Sequence, residues 1–145
     1  MFKHILLATD GSPASQQAAV LAVGLARTHG AELTVLYVVD PYPYLGVGEA
    51  NPLGFQAYMS AALQHAARAH SDVVDLAATE PRVHLHTRLA QDVEASAGII
   101  GNAKDMGADL IVVGSHGRTG LKRLMLGSVS GRVVAESPIP VLVAR

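Results

Sequence analysis

Residues 3–13 of the chain read KHILLATDGSP, an apolar run that ends abruptly in turn-forming residues. A short continuous apolar run of this kind is typical of a β-strand that is buried on both faces of a sheet. Ser12 followed by Pro13 predicts the start of a helix, because a serine side chain caps open backbone amides and proline is preset for the first helical position. Apolar residues then recur at helical spacing until His29 and Gly30, which predict the end of the helix.

This strand–turn–helix unit recurs along the rest of the chain. Further strands are predicted at residues 32–40, 83–89, 108–114 and 139–145, and further helices at 52–78, 92–107 and 127–138. The segment 40–52, DPYPYLGVGEANP, has no periodicity and is predicted to be a long irregular connection and a candidate for a mobile lid. Alternating strands and helices imply an α/β fold, an open parallel sheet of five strands with helices on both faces, since each right-handed crossover returns a helix to the sheet.

The composition narrows the classes of function. With 145 residues, of which 50% are hydrophobic, the chain suits one domain, residues 1–145, with a core large enough to fold unaided. The net charge of −1 offers no field that would recruit nucleic acid or an anionic membrane. The absence of cysteine excludes thiolate catalysis and fits a reducing compartment. No signal-peptide pattern and no apolar stretch of about 20 residues is present, so a cytoplasmic protein is expected.

Residues 114–130, GSHGRTGLKRLMLGSVS, follow the predicted fourth strand and combine glycines with cationic side chains. Ligands of open parallel sheets bind beyond the carboxyl ends of the strands, which nominates this loop and the turn at residues 10–12. Glycine amides form anion-binding nests, and the helix that begins near Gly127 and Ser128 adds unpaired N–H groups. The hydroxyls of Ser128 and Ser130 are further candidate donors, so the loop is predicted to hold phosphate.

Familiar phosphate-binding and nucleophile signatures do not account for this loop, because the strings GxxxxGK[ST], GxGxxG and GxSxG are all absent. What remains is Gly-x2-Gly-x9-Gly-Ser, which is satisfied by Gly114, Gly117, Gly127 and Ser128. In this string the chain resembles the universal stress protein family, whose ATP-binding members carry it after the fourth strand. The resemblance extends over HILLATDGSPAS, VLYVVD, ADLIVVGSHGRTGLKRLMLGSVS and SPIPVLVAR, which together cover essentially the whole chain.

The resemblance implies a sheet order of 3-2-1-4-5, which would place Asp10 and Gly114 at the ends of neighbouring strands. It implies that Asp10 contacts the ribose hydroxyls or a phosphate-bound Mg²⁺, and that Val38 bonds adenine through its backbone. Ala8 and Thr9 would wall the base and the sugar. The phosphate ligands that it implies are Gly114, Gly117, Gly127, Ser128, Val129 and Ser130.

The resemblance leads to one expected function and two alternatives. The chain is expected to be a homodimer, paired through its C-terminal strand, that binds ATP with Mg²⁺ and regulates an unidentified protein partner in the stress response. Hydrolysis would be slow, since no positioned base, arginine finger or lysine clamp is readable. One alternative is a nucleotide-free dimeric interaction protein in which Leu89, placed where relatives often have a small turn, closes the base pocket. The other is a weak ATPase or phosphotransferase that uses metal on Asp10 and the side chain of His116.

Several residues admit both a functional and a structural interpretation. Asp10 and the glycines can be turn residues alone, and His116 is either a general base or phosphate carrier, or a solvent-facing side chain. His84 and His86 have workable metal-ligand spacing, but no third ligand is evident. The cations Arg118, Lys122 and Arg123 either screen phosphate charge or form a solvated surface. The tyrosines Tyr37, Tyr42 and Tyr44 either cover a bound base or pack a loop.

Overall fold

The computed structural model describes residues 1–41, 52–79, 81–91, 93–117 and 125–145, in which strands and helices alternate. The strands are β1 (His4–Ala8), β2 (Glu32–Val38), β3 (Leu85–Ala90), β4 (Leu110–Gly114) and β5 (Val141–Ala144). The helices are α1 (Pro13–His29), α2 (Pro52–Ala77), α3 (Ala95–Asp105) and α4 (Ser128–Glu136). All strand pairs are parallel and the sheet order is β3-β2-β1-β4-β5, which confirms the expected fold class and the order 3-2-1-4-5.

The signals that were expected to begin and end α1 act as predicted. The Ser12 hydroxyl accepts a hydrogen bond from the N–H of Ser15 at 3.3 Å, and Pro13 occupies the first helical position. Gly30 ends the helix in the left-handed region with φ 62°, a conformation that glycine adopts without a steric cost. The register of β1 with β2 ends at Ala8, and the Thr9 N–H adds one further hydrogen bond, to the Leu36 carbonyl at 3.0 Å, before the chain bends at Gly11 and Ser12.

The core lies on both faces of the sheet, which explains the continuous apolar run in β1. Ile5 and Leu7 pack in the layer under α1 and α2, whereas Leu6 packs in the layer under α3 and α4. All three side chains are fully buried, and burial of each contributes about 1.5–3 kcal/mol to folding. Alternate residues of one strand therefore anchor helices on opposite faces.

The sheet order places the candidate loops side by side. β1 and β4 are hydrogen-bonded neighbours with Leu7 opposite Val112, so the segments that follow these two strands emerge at the same edge of the sheet. Some predictions lie outside the described residues: the lid within 42–51, the loop cations Arg118, Lys122 and Arg123, and Tyr42 and Tyr44. In the part of the chain that is described, the helices are too short or too polar to cross a bilayer.

Candidate functional site

The turn after β1 holds the Asp10 side chain in a defined orientation. Oδ1 of Asp10 accepts a hydrogen bond from the N–H of Ser12 at 2.9 Å. Gly11 lies in the left-handed region with φ 77°, and its N–H donates to the Thr9 hydroxyl oxygen at 3.2 Å. The Thr9 hydroxyl in turn donates to the Ser15 hydroxyl at 3.2 Å. A network of short polar side chains thus fixes the carboxylate at the carboxyl edge of the sheet.

The loop after β4 is closed at its base by backbone hydrogen bonds. The N–H of Ser115 donates to the carbonyl of Ala144 at 2.7 Å, which extends the pairing between β4 and β5. The N–H of Gly127 then donates to the carbonyl of Ser115 at 2.8 Å. The two ends of the loop therefore lie against each other, and the start of α4 lies next to the end of β4.

The first turn of α4 has backbone donors with no partner inside the helix. Gly127 is the N-cap and supplies no side-chain hydrogen bond, while the N–H of Gly131 donates to the carbonyl of Gly127 at 2.8 Å. The N–H groups of Ser128, Val129 and Ser130 precede the first intrahelical bond. They lie at the positive end of the helix dipole, which favours an anion there.

The two predicted signatures meet in space. A Cβ atom added at Gly117 would lie 3.0 Å from Oδ2 of Asp10, although the two residues belong to loops after different strands. A Cβ added at Gly127 would lie 3.4 Å from the Ser115 carbonyl oxygen and 3.7 Å from the Gly117 nitrogen. The missing side chains of Gly117 and Gly127 therefore leave space between the acidic turn and the start of α4.

The structure gives two of the predicted phosphate ligands a packing role. A Cβ at Gly114 would lie 2.8 Å from the carbonyl carbon and oxygen of Ala14, so the glycine is required for β4 to approach α1. The Ser130 side chain is buried and its hydroxyl donates to the carbonyl of Gly114. The expectation that the Ser130 hydroxyl is a ligand donor is therefore corrected, because its proton is committed to β4 and only the backbone N–H of this residue remains for a ligand.

The residues expected around a base and sugar divide between the two faces of the sheet. Ala8 and Val38 are partly buried on the α3 side, and a Cβ at Gly98 of α3 would lie 3.3 Å from both Val38 methyl groups. Tyr37 and Leu89 pack together on the opposite face, against α2. Tyr37 is therefore a core residue. Leu89 packs against the same cluster, on the face of the sheet opposite Ala8 and Val38.

Thr9 was expected to wall the base and sugar together with Ala8. Its side chain is buried among the hydroxyls of the turn, as described above, and so supports the conformation of the Asp10 turn. The contact of Thr9 with a base and sugar stays a prediction.

The histidines and the expected metal site have few supporting contacts. Nδ1 of His116 lies 2.8 Å from the Ser115 hydroxyl oxygen. His84 and His86 are exposed on and beside the edge strand β3. Within the described ranges no group of three or more acidic or histidine side chains is arranged to hold a metal ion.

A groove of about 190 Å³ lies between α1 and α2, on the other flank of the Asp10 turn. Its lining is mainly apolar, with Gln16 and Asp72 as its longer polar side chains. Neither the loop after β4 nor the start of α4 contributes to this groove. The geometry at the carboxyl edge, with its fixed carboxylate and open amides, is therefore the better candidate for an anionic ligand.

Sequence reasoning missed one ion pair near the start of α4. Nη1 of Arg132 donates to Oε1 of Glu94 at 2.9 Å, and the same oxygen accepts from the Ser96 hydroxyl at 2.8 Å. The available signal was the spacing of Arg132, four residues after Ser128 on a predicted helix, which places both on one helical face. The partner Glu94 comes from a distant part of the sequence and carried no signal of its own.

The fold and this site define a class of protein: an open parallel α/β sheet with a glycine-rich loop that faces an aspartate across the point where strand order reverses. The sequence model of the universal stress protein family matches residues 1–145, and the chain belongs to that family.

Individual relatives agree with this assignment over most of their length. A universal stress protein of Methanocaldococcus jannaschii is 37% identical over 145 residues, which cover 100% of this chain and 83% of the relative. The solved structure of universal stress protein UspA from Lactobacillus plantarum is 31% identical with a TM-score of 0.80, covering 99% of this chain and 97% of that one. A universal stress protein solved in complex with cAMP shares the fold, with 23% identity, a TM-score of 0.67 and coverage of 99% and 97%.

Proposed function

We propose that the protein binds ATP at the carboxyl edge of the sheet and acts as a nucleotide-dependent regulatory module. The observation that carries this proposal is the convergence of Asp10 and Gly117, where a carboxylate oxygen and an absent Cβ would be 3.0 Å apart. An acidic group beside a polyanion site is unfavourable unless it contacts ribose hydroxyls or a bound cation. An adenine nucleotide presents both kinds of group, so it matches the site better than free phosphate does.

The phosphate side of this site is built from backbone donors. Three first-turn amides of α4, at residues 128–130, would each contribute about 1.5–3 kcal/mol to a charged phosphate before ordering costs. Their sum is about 4.5–9 kcal/mol, which by itself gives at best roughly submillimolar affinity once association costs of about 4 kcal/mol or more are subtracted. Base and ribose contacts are therefore required, and these would come from Val38, Ala8 and Asp10.

Mg²⁺ fits this site only together with the nucleotide. Asp10 offers one carboxylate, and Mg²⁺ is commonly held by one or two carboxylates with substrate phosphates and water. When bound, the ion would neutralise phosphate charge. The chain's own residues bind and orient the nucleotide, with Asp10 held by the Ser12 N–H and the phosphates facing α4. Their work is binding, so hydrolysis is expected to be slow.

The adenine assignment is supported by the shape of the sheet edge beside β2. Val38 is the last residue of β2, beyond the point where the β1 register ends, and the adjacent Val39 N–H bonds the Ala90 carbonyl at 2.8 Å. The backbone there has a fixed position on the α3 side. The relative that was solved with cAMP carries an adenine nucleotide on the same fold.

We also propose that two copies pair through β5. β5 is an edge strand whose residues Val141, Leu142 and Val143 remain partly exposed, whereas the other edge strand exposes His86 and Arg88. Charged side chains discourage edge pairing, and an apolar edge favours it. The carbonyls of Pro140 and Ala144 bond β4, so the alternate residues 141 and 143 direct their backbone groups outward.

Titration calorimetry with ATP, with and without Mg²⁺, tests the nucleotide proposal. The matched variant is Gly127→Val: its backbone has φ −59°, and its Cβ would make ordinary contacts with the protein but would enter the space facing Gly117. We expect micromolar binding by the wild type and none by a folded Gly127→Val. Retained affinity in this folded variant would refute the proposed location of the site, whereas a wild type that binds no adenine nucleotide would leave the nucleotide-free interaction protein as the function.

Turnover separates binding from catalysis. Phosphate release by the wild type and by His116→Ala should be equally slow, because the proposed site holds the nucleotide through Asp10 and the backbone amides of α4 and its role is binding. Rapid release that disappears in His116→Ala would establish the phosphotransferase alternative.

A further inference from the structure

Arg132 lies where it can reach a phosphate bound at the start of α4. It follows Ser128 by four residues in the same helix, so both side chains occupy one face, about one turn apart. Long side chains in a helix lean toward the N-terminus, which directs the guanidinium toward the open amides of the first turn. A guanidinium also matches a phosphate geometrically, because its parallel N–H groups bond two oxygens at once.

Glu94 currently holds this guanidinium. A single carboxylate oxygen, Oε1, accepts both the Arg132 N–H at 2.9 Å and the Ser96 hydroxyl at 2.8 Å. Glu94 is the N-cap of α3, which packs beside α4, so its carboxylate lies at the first turn of α3 and bonds Arg132 in the second turn of α4. The Ser96 hydroxyl keeps the pKa of the Glu94 carboxyl below its usual value, and Arg132 adds to this effect. The residue therefore remains an anion at neutral pH.

The ion pair between Arg132 and Glu94 is weak enough for Arg132 to exchange the Glu94 carboxylate for another anion. The Arg132 and Glu94 side chains are 60% and 53% exposed, and exposed pairs of this kind contribute little to stability because water competes for both charges. A phosphate chain carries more negative charge and more acceptor oxygens than one carboxylate. The Arg132 guanidinium is therefore expected to gain free energy when it exchanges Glu94 for a bound phosphate, and to gain little when it exchanges Glu94 for water.

We propose that Arg132 is a phosphate ligand that exchanges Glu94 for the nucleotide's phosphates, and that the Glu94 carboxylate competes with them and so weakens binding of highly charged nucleotides. This inference rests on the proposed nucleotide function and adds a residue and a regulatory competitor to that site. The exchange distinguishes ligands by their charge. It changes the affinity for ATP, and it does not change the affinity for adenosine, which carries no phosphate.

Calorimetry with ATP and with adenosine on wild type, Arg132→Gln and Glu94→Gln tests this inference. Arg132→Gln should weaken ATP about 3- to 10-fold, the size expected for one partly exposed charge-assisted contact. Glu94→Gln should tighten ATP about 2- to 5-fold, because the competitor and its negative charge are removed. Adenosine affinity should be unchanged in both variants. Lys104→Gln, which removes an exposed cation from the last turn of α3, is the matched charge control and should leave ATP affinity unchanged.

A purely structural ion pair predicts a different pattern. If the pair only fixes α3 against α4, both variants should shift ATP affinity in the same direction and adenosine affinity equally, and this result would overturn the inference. Arg132→Lys keeps the charge without the parallel N–H groups and should recover part of the ATP affinity. If the wild type binds ATP and the variants match it, the inference alone fails. If the wild type binds neither ligand, the proposed function fails and takes the inference with it.

Discussion

Adding one methyl group at Gly117 is the sharpest test of the convergence between the two loops. Alanine at this position would place a Cβ 3.0 Å from Oδ2 of Asp10, closer than a carbon and an oxygen normally approach. The carboxylate, which the Ser12 N–H holds at 2.9 Å, would have to move by a few tenths of an ångström from its position in the proposed site. A hydrogen bond to a charged group contributes about 1.5–3 kcal/mol, so loss of one such contact between Asp10 and the ligand corresponds to an affinity change of roughly 10- to 100-fold.

The assay is titration calorimetry with ATP and Mg²⁺ on the wild type and Gly117→Ala. We expect the variant to fold, because the left-handed glycines of the described residues are Gly11, Gly30 and Gly107, and Gly117 is not among them. We expect its dissociation constant to rise by the factor given above. Asp10→Asn should weaken Mg²⁺-dependent binding in the same range, because it removes the displaced charge directly.

Gly101→Ala is the matched control for this substitution. It also replaces a glycine by alanine, but no atom lies within 4 Å of the added Cβ. ATP affinity should be unchanged, and stability should rise by about 0.5–1 kcal/mol because alanine favours the helix. A folded Gly117→Ala variant with wild-type ATP affinity would refute the argument, since the contact between the two loops would then have no part in binding.

Three further outcomes are expected. Gly114→Ala should lower the free energy of unfolding by about 1–3 kcal/mol in urea titrations, because its Cβ would lie 2.8 Å from the Ala14 backbone; wild-type stability would contradict the packing argument. Burial keeps the pKa of His70 below its usual value, so the unfolded chain takes up the proton first and wild-type stability falls as pH drops below about 6.5. Urea titrations at about pH 8 and about pH 5.5 should show that His70→Phe loses less free energy of unfolding between these pH values than the wild type does. An equal loss in the two proteins would assign the pH dependence to other groups. Val143→Pro should give a monomer in analytical ultracentrifugation, because it removes an outward N–H of β5, while Leu142→Pro should also disturb the sheet; a dimeric Val143→Pro would exclude pairing through this edge.

The fold could be predicted from local patterns because those patterns are themselves the local causes of structure. Ile5, Leu6 and Leu7 form an unbroken apolar run because both faces of β1 are covered by helices. Ser12 and Gly30 mark the limits of α1 because each makes its capping contact within the helix it bounds. The strands at 32–40, 108–114 and 139–145 were predicted one or two residues too long at their ends, and β3 was predicted to start two residues early and to end one residue early. A strand ends where its neighbour ceases to pair, which depends on the register between distant segments.

The candidate site was only partly predictable. The glycine spacing identified the loop, but it did not distinguish Gly114, where a Cβ would lie 2.8 Å from the Ala14 backbone, from Gly127, where a Cβ would make ordinary contacts of 3.4 Å or more with the loop after β4. The same spacing suggested the Ser130 hydroxyl as a donor, although that hydroxyl bonds the Gly114 carbonyl. A glycine or a serine uses the same atoms whether it packs against the protein or binds a ligand. Its role at a given position therefore depends on the residues around it in the folded structure.

The sequence by itself determined the alternation of strands and helices, the burial of the central strands and the family, because these depend on residue order within short segments. Only the tertiary structure brought Asp10 to Gly117 and Glu94 to Arg132. Those pairs form because β1 and β4 are adjacent and because α3 and α4 pack side by side. Contacts between segments that are distant in the chain are set by how the layers pack, and no local pattern of residues encodes that distance.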